Sequence, residues 1–175
     1  INGGGGWGRS SVSAPFATGG FGTSGGLVGG TLGYNWQVGQ AVFGLEGDID
    51  WSNIGGSHVC AGTSCSVRNN WLGTVRGRLG YAQDRWLFYV TGGGLYGKNT
   101  LDGTLSTTGP FSSSATYWTW VAGAGVEAKL WDRWSAKLEY LYAGRPDNQP
   151  GIPGATDVLR DQHTDIVRVG LNYHF

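Results

Sequence analysis

An all-β fold, with eight antiparallel strands closed into an up-and-down barrel, is what this 175-residue sequence predicts. Three observations predict it. Period-two alternation of apolar and polar residues runs through most of the chain, the links between alternating segments are by turns tight and long, and aromatic residues crowd both ends of those segments. Glycine, 34 of 175 residues, stands at about 19% against an average near 7%, and this frequency penalises helix throughout.

Composition narrows the classes further. Lys+Arg and Asp+Glu both number 12, for a formal charge of zero, which argues against nucleic acid as a partner because such a protein shows a basic footprint. No Gly-X-Y period exists, so collagen is excluded, and an aromatic content of 13% argues against disorder. No run approaches the roughly 18 apolar residues of a membrane-spanning helix. Charged residues are only 14% of the chain, about half the share of a soluble domain, so something other than water is expected to cover part of the surface. Residues 1–8 carry neither a positive n-region nor an apolar h-region; the expectation is a single domain over residues 1–175 with any signal peptide already removed.

Taken in order, residues 1–7 are extended but too rich in glycine to show two faces. Val28, Gly30, Leu32, Tyr34 and Trp36 then alternate with Gly29, Thr31, Gly33 and Asn35. Phe43, Leu45, Gly47, Ile49 and Trp51 alternate with Gly44, Glu46, Asp48 and Asp50. Trp71, Gly73, Val75, Gly77, Leu79 and Tyr81 oppose Asn70, Leu72, Thr74, Arg76, Arg78 and Gly80. Residues 86–96 are extended with aromatics on both faces. Trp118 to Leu130 puts Trp118, Trp120, Ala122, Ala124, Val126, Ala128 and Leu130 on one face and Thr119, Val121, Gly123, Gly125, Glu127 and Lys129 on the other. Trp134, Ala136, Leu138, Tyr140 and Tyr142 oppose Ser135, Lys137, Glu139 and Leu141, and Val167, Val169, Leu171, Tyr173 and Phe175 oppose Arg168, Gly170, Asn172 and His174. The links at 38–40, 82–85 and 131–133 are tight, whereas those at 9–25, 52–68, 98–115 and 144–162 are long and rich in Gly, Ser, Thr, Asn, Asp or Pro. An even number of strands closes antiparallel and leaves no unpaired edge.

The aromatic residues decide which way the apolar face points. Trp36, Trp86, Trp131 and Trp134 stand beside the short turns, and Trp7, Trp51, Trp71, Trp118 and Trp120 beside the long links. Amphipathic rings at both rims make two girdles at headgroup depth, whereas a soluble ligand-binding barrel would set its large rings near mid-cavity. The opposite face carries Arg76, Arg78, Lys129, Lys137 and Arg168 against Glu46, Asp48, Asp50, Glu127 and Glu139. Five cations against five acids permit pairing inside a narrow lumen, so the prediction is a transmembrane barrel plugged by ion pairs.

The segments GGTLGYNWQ, FGLEGDIDWS, WLGTVRGRLGYA, FYVTGGGLYG, EAKLWDRWSAKLEYLY and VRVGLNYHF resemble the small porin-like outer-membrane β-barrel family of alphaproteobacteria, from Leu27 to the end of the chain. The departure is at residue 1, where the family opens its first strand with an aromatic-rich stretch. The resemblance implies short periplasmic turns and long extracellular loops. It also implies a C-terminal signal, Val169, Leu171, Tyr173 and Phe175, read by the barrel assembly machinery. For function it implies envelope integrity, contacts with outer-membrane lipids, lipopolysaccharide and other envelope proteins, and at times weak pore or ligand-binding activity.

In that orientation Cys60 and Cys65, separated by four residues, lie in one extracellular loop where disulfides persist, and a short stiffening disulfide is expected. A zinc site with His58 lacks two further ligands, so no metal is expected. A lipid A-modifying barrel would need a nucleophile, a His base and a carboxylate together. His163 lies near Asp165 but far in sequence from Ser112, Ser113 and Ser114, and His174 is expected to have no serine partner, so no catalytic residue and no cofactor are assigned. Glycine runs at 3–6 and 92–94 lack the following helix and Lys-Ser/Thr of a phosphate loop. Arg9, Lys98, Arg145 and Arg160 are candidates for lipopolysaccharide phosphates, and the last long link, with Pro146, Asp147, Pro150, Pro153, Asp157 and Asp161, for a protein contact. The functional expectation is a non-enzymatic structural or interaction protein of the Gram-negative envelope; the alternatives are a narrow porin-like channel and, less favoured, a lipid A-modifying enzyme.

Overall fold

The structure, a computed structural model, describes residues 1–14, 17–60, 63–105, 109–144 and 159–175. These form nine strands: β1 (Asn2–Ala14), β2 (Ala17–Val38), β3 (Ala41–Ser52), β4 (Gly55–Cys60), β5 (Thr63–Gln83), β6 (Trp86–Leu105), β7 (Gly109–Trp131), β8 (Trp134–Ala143) and β9 (Leu159–Tyr173). Neighbours pair antiparallel in the order β1, β9, β8, β7, β6, β5, β3, β2, and β1 pairs in turn with β2, which closes the ring. β4 pairs with β5 and meets β2 at Ser24, so it continues the wall position of β3 after a break at 53–54. The barrel therefore has eight wall positions. At the break the Asn53 amide donates to the Gly26 carbonyl at 3.0 Å and the Ile54 amide to Ser52 Oγ at 3.1 Å, so the chain bends without abandoning its backbone donors.

Two-residue turns join β2 to β3, β5 to β6 and β7 to β8. The first needs a left-handed residue and has Gly39 at φ 61°; the second has Asp84 at φ 54°, a short polar residue that tolerates this region. Three of the links read as long loops are mostly strand. β1 and β2 remain paired as far as Ala14 and Ala17, β4 and β5 as far as Cys60 and Thr63, and β6 and β7 as far as Leu105 and Gly109. Polar, glycine-rich composition signals loop when read alone, but strands already aligned by the wall extend their ladder at little cost because backbone pairing needs no apolar face. Most of the fourth link, 145–158, lies outside the described residues.

Burial is inverted relative to a soluble protein. Leu32 and Val75 are 78% and 67% exposed, while Arg76 and Glu139 are 1% exposed. The ambiguous segment resolves the same way: Trp86, Phe88 and Val90 face outward, and Tyr89 and Leu95 are buried inside. Leu27, Ile54, Leu72, Leu95, Tyr117, Val121, Leu141, Ala143 and Ile166 form an apolar cluster within the barrel, on the loop side of the charges. Alternation alone had set Leu72, Val121 and Leu141 on the polar face with no role.

Bare backbone makes room for the long inward side chains. A Cβ at Gly93 would stand 2.1 Å from the Val75 carbonyl and 2.7 Å from Arg76 Cα, and one at Gly4 would stand 2.7 Å from Arg168 Cα. On the turn side the β1–β2 ladder ends at Asn2 opposite Gly29; among the described residues, 30–38 pair with β3 alone, and Gly33, Asn35 and Gln37 are exposed.

Val75 points outward midway along β5 between Trp71 and Tyr81, so Val75→Arg is expected to destabilise the barrel in a phosphatidylcholine bilayer by about 2–4 kcal/mol. Denaturant titration of the membrane-inserted protein measures it; an effect within about 0.5 kcal/mol is what a water-exposed site would give.

Candidate functional site: the charged interior

Charges enter the lumen from five strands. β3 supplies Glu46, Asp48 and Asp50, β5 supplies Arg76 and Arg78, β7 Glu127, β8 Lys137 and Glu139, and β9 Arg168, all of them buried. In the ring of eight, β5 and β9 stand on opposite walls, as do β3 and β8, so the pairs cross the lumen as well as joining neighbours. Arg76 Nη2 lies 2.9 Å from Glu46 Oε1 and 2.7 Å from Asp48 Oδ2, while its Nη1 reaches Glu139 Oε1 at 3.0 Å. From the other wall, Arg168 donates to Asp50 and Asp48 at 3.0 Å each and through Nε to Glu139 Oε2 at 2.8 Å. Arg78 bridges Glu46 at 3.3 Å and Glu127 at 2.9 Å with its guanidinium 3.8 Å above the Tyr89 ring, and Lys137 Nζ closes on Glu46. The planar fork of arginine suits this bridging, since one side chain meets two or three carboxylates at once.

Neutral donors add to the shell, although Asp50 Oδ1 and Arg78 Nε are buried with no hydrogen-bond partner. Thr31 Oγ1 donates to Asp48 Oδ1 at 2.7 Å, Thr74 Oγ1 donates to Oδ2 at 2.5 Å, and the Tyr89 hydroxyl donates to Glu139 Oε1 at 3.1 Å. Asn2 Nδ2 donates to Thr31 Oγ1 at 2.9 Å, which ties β1 to the same network. Carboxylates supplied with this many donors are rigidly placed.

Lys129 does not join them. It stays in register with the inward Ser135 but stands at the turn-side mouth of the barrel, where it is exposed to water and not sealed among the acids that simple alternation assigned to it. A second correction concerns His174. Its Nε2 lies 2.9 Å from Ser135 Oγ and 3.5 Å from Glu127 Oε1, where Asn172 also donates at 3.0 Å and Ser135 donates as well. The signal was available in the tight β8–β9 pairing but not in sequence distance. This is not a catalytic relay: hydroxyl and carboxylate meet the same ring nitrogen, whereas a triad places them on different ones, and Ser135 is only 2% exposed.

The remaining sites fall on the wall or beyond it. Trp7, Trp51, Trp118 and Trp120 are exposed on the loop side with Trp71 partly covered, and Trp36, Trp86, Trp131 and Trp134 are exposed on the turn side. Val169, Leu171, Tyr173 and Phe175 all face outward; Tyr173 packs against Trp134 and Phe175 with ring centroids 5.2 Å apart in each case. Cys65 pairs in register with His58 and Cys60 with Thr63; the side chains of both cysteines, of His58, of Arg9, of Arg160 and of Asp161, and residues 145–158, lie outside the described set. Among the described residues no group of His, Cys, Asp and Glu is arranged to hold a metal.

An apolar outer wall between two aromatic rims, around a charged interior, defines an integral outer-membrane β-barrel. More particularly, the chain belongs to the outer membrane protein beta-barrel domain family, whose model matches residues 2–175. It is similar to the 31 kDa outer-membrane immunogenic protein of Brucella melitensis, 38% identical over 169 residues that cover 87% of this chain and 68% of the relative. It is also similar to the 22 kDa outer membrane protein of Rhizobium leguminosarum, 34% identical over 143 residues covering 82% and 63%. The 25 kDa outer-membrane immunogenic protein of Brucella abortus is 31% identical over 148 residues, 85% of this chain and 65% of its own.

Arg168→Met strands the carboxylates of Asp48, Asp50 and Glu139, and is expected to destabilise the folded barrel by about 3–5 kcal/mol. Lys129→Ala, outside the network, is expected to stay within about 0.5 kcal/mol. Unfolding midpoints in one bilayer compare the two.

Proposed function

We propose that the chain is a non-enzymatic structural and interaction protein of the outer membrane, with a lumen closed to solutes. The carrying observation is the reach of Arg76 and Arg168 from opposite walls to the shared carboxylates of Asp48 and Glu139. An eight-position barrel is just wide enough for side chains to fill, and the Leu72, Leu95, Val121 and Leu141 layer lies over the charges on the loop side. Ions would have to break several buried pairs and then cross apolar side chains.

Activity then resides on the outer surface. The exposed wall and girdles suit outer-membrane lipids and lipopolysaccharide, the outward C-terminal residues suit recognition by the barrel assembly machinery, and the paired extensions of β1–β2, β4–β5 and β6–β7 offer surface to other envelope proteins. The alternative reading is a narrow porin-like channel.

Planar-bilayer conductance separates the two. The refolded barrel is expected to give no discrete steps, and the paired neutralisation Arg76→Gln with Arg78→Gln to raise leak or reduce folding yield. Regular steps in the unaltered protein, with an ion selectivity changed by those substitutions, would make it a small porin.

A further inference from the structure

Charge inside the barrel does not balance. Among the described residues, Arg76, Arg78, Lys137 and Arg168 are the buried cations, and Glu46, Asp48, Asp50, Glu127 and Glu139 are the buried acids. Lys129, which would have made the two sets equal, stands exposed at the turn-side mouth. Four positive charges against five negative leave one carboxylate in excess, beneath an apolar layer that covers the loop side. An uncompensated charge in such a place is strongly disfavoured.

The excess falls at Asp50. Glu46 meets Arg76, Arg78 and Lys137, while Asp48 and Glu139 each meet both Arg76 and Arg168. Glu127 meets Arg78 and takes further donors from Ser135 and Asn172. Asp50 has only a share of Arg168, through Oδ2 at 3.0 Å. Its Oδ1 is buried with no hydrogen-bond partner, and so is Asn2 Oδ1, in residues 3% and 4% exposed. Asn2 stands opposite Gly29 in β2, and Gly29 opposite Asp50, so the two side chains are neighbours across a position that has none. A Cβ at Gly29 would stand 2.1 Å from Asp50 Oδ1. Two bare oxygens and a surplus negative charge thus coincide at one level of the barrel, where Asp50 pairs with Leu72 of the apolar layer.

A neutral donor such as water would satisfy both oxygens and leave the surplus charge in place. A divalent ion would reverse its sign. Carboxylate and carboxamide oxygens are hard ligands, suited to hard cations and not to metals that seek nitrogen or sulfur. Asp50 also meets a guanidinium through its other oxygen, the arrangement of an ionised carboxylate.

We propose that Asp50 Oδ1 and Asn2 Oδ1 bind one monovalent alkali-metal cation, which brings the interior to neutrality and ties β1 to β3 across Gly29. The ion enters as the sheet closes, with water completing its coordination. This goes beyond the structural role proposed above, because it makes closure of the barrel depend on a specific ion.

The test is urea unfolding of the full chain in phosphatidylcholine bilayers at constant ionic strength, with sodium chloride replaced stepwise by N-methylglucamine chloride, whose cation is too large for the site. Once sodium exceeds its dissociation constant, each tenfold rise is expected to raise the folding equilibrium constant about tenfold. Asp50→Asn removes the surplus charge and supplies an amide donor for Asn2, so it is expected to abolish the sodium dependence while remaining folded, which heat-dependent gel mobility verifies. Lys129→Ala is expected to keep the dependence. Crystals grown with thallium(I) are expected to show an anomalous peak between the two oxygens in the unaltered protein and none in Asp50→Asn. Stability indifferent to sodium, or a sodium dependence that survives in Asp50→Asn, overturns the proposal. Stability indifferent to sodium that falls as the pH is raised also overturns it and assigns the balancing charge to a proton on Asp50. Bilayer conductance is a separate readout, so either result leaves the closed-lumen reading to its own test.

Discussion

A guanidinium or carboxylate sealed inside an eight-position barrel must meet an opposite charge, and the register of the whole wall depends on that pairing. Sliding β5 by one residue would turn Arg76 and Arg78 into lipid and bring Val75 and Gly77 inside, opposite Glu46 and Asp48 stripped of partners. The bilayer imposes the same choice from outside, since it rejects charge and accepts Leu32, Leu45 and Val75. Interior pairing and exterior lipid therefore select one register together. Arg76 and Arg168 carry this furthest, because each ties strands from different sides of the ring through shared acids.

Filling a narrow lumen with long side chains requires empty positions beside them. Gly93 lies against Arg76 and Gly4 against Arg168, and a methyl group at either would overlap backbone. The glycine content that first excludes helix is thus also a packing device: Arg76 and Arg168 are each accommodated by a bare neighbour on the adjacent strand. Above the charges the interior becomes apolar, with Leu72, Leu95, Val121 and Leu141 in contact. This lid excludes water from one side of the network and strengthens the electrostatics beneath it.

On the proposed reading of a closed lumen, the chemistry of the barrel lies on its outside. In this chain the surface is not uniform: most of the wall is aliphatic, two rims are aromatic, and one stretch near the loops sets Asp165, Tyr140, Tyr142 and His163 together. Two neighbouring strands, β8 and β9, contribute to that stretch, and the long link between them separates its residues along the chain.

Alternation by itself determined much of this protein: eight wall positions, outward Trp and Leu, inward Glu46, Asp48, Arg76 and Arg168, and the aromatic rims, because a strand facing lipid on one side writes its environment into every second residue. Three things were not legible there. The hairpin extensions of β1–β2 and β6–β7 read as loops because their composition is polar, yet the ladder continues on backbone bonds alone. Lys129 and the Ser135–His174 contact depended on where the barrel opens at its turn-side rim and on a cross-strand neighbour, neither of which spacing records. The inward Leu72, Val121 and Leu141 became a layer only when six or more strands were brought round one axis. Sequence periodicity reports which face of a strand a residue occupies; only closure of the sheet decides which residues from opposite walls meet, because that distance is set by the barrel's circumference and stagger and not by separation along the chain.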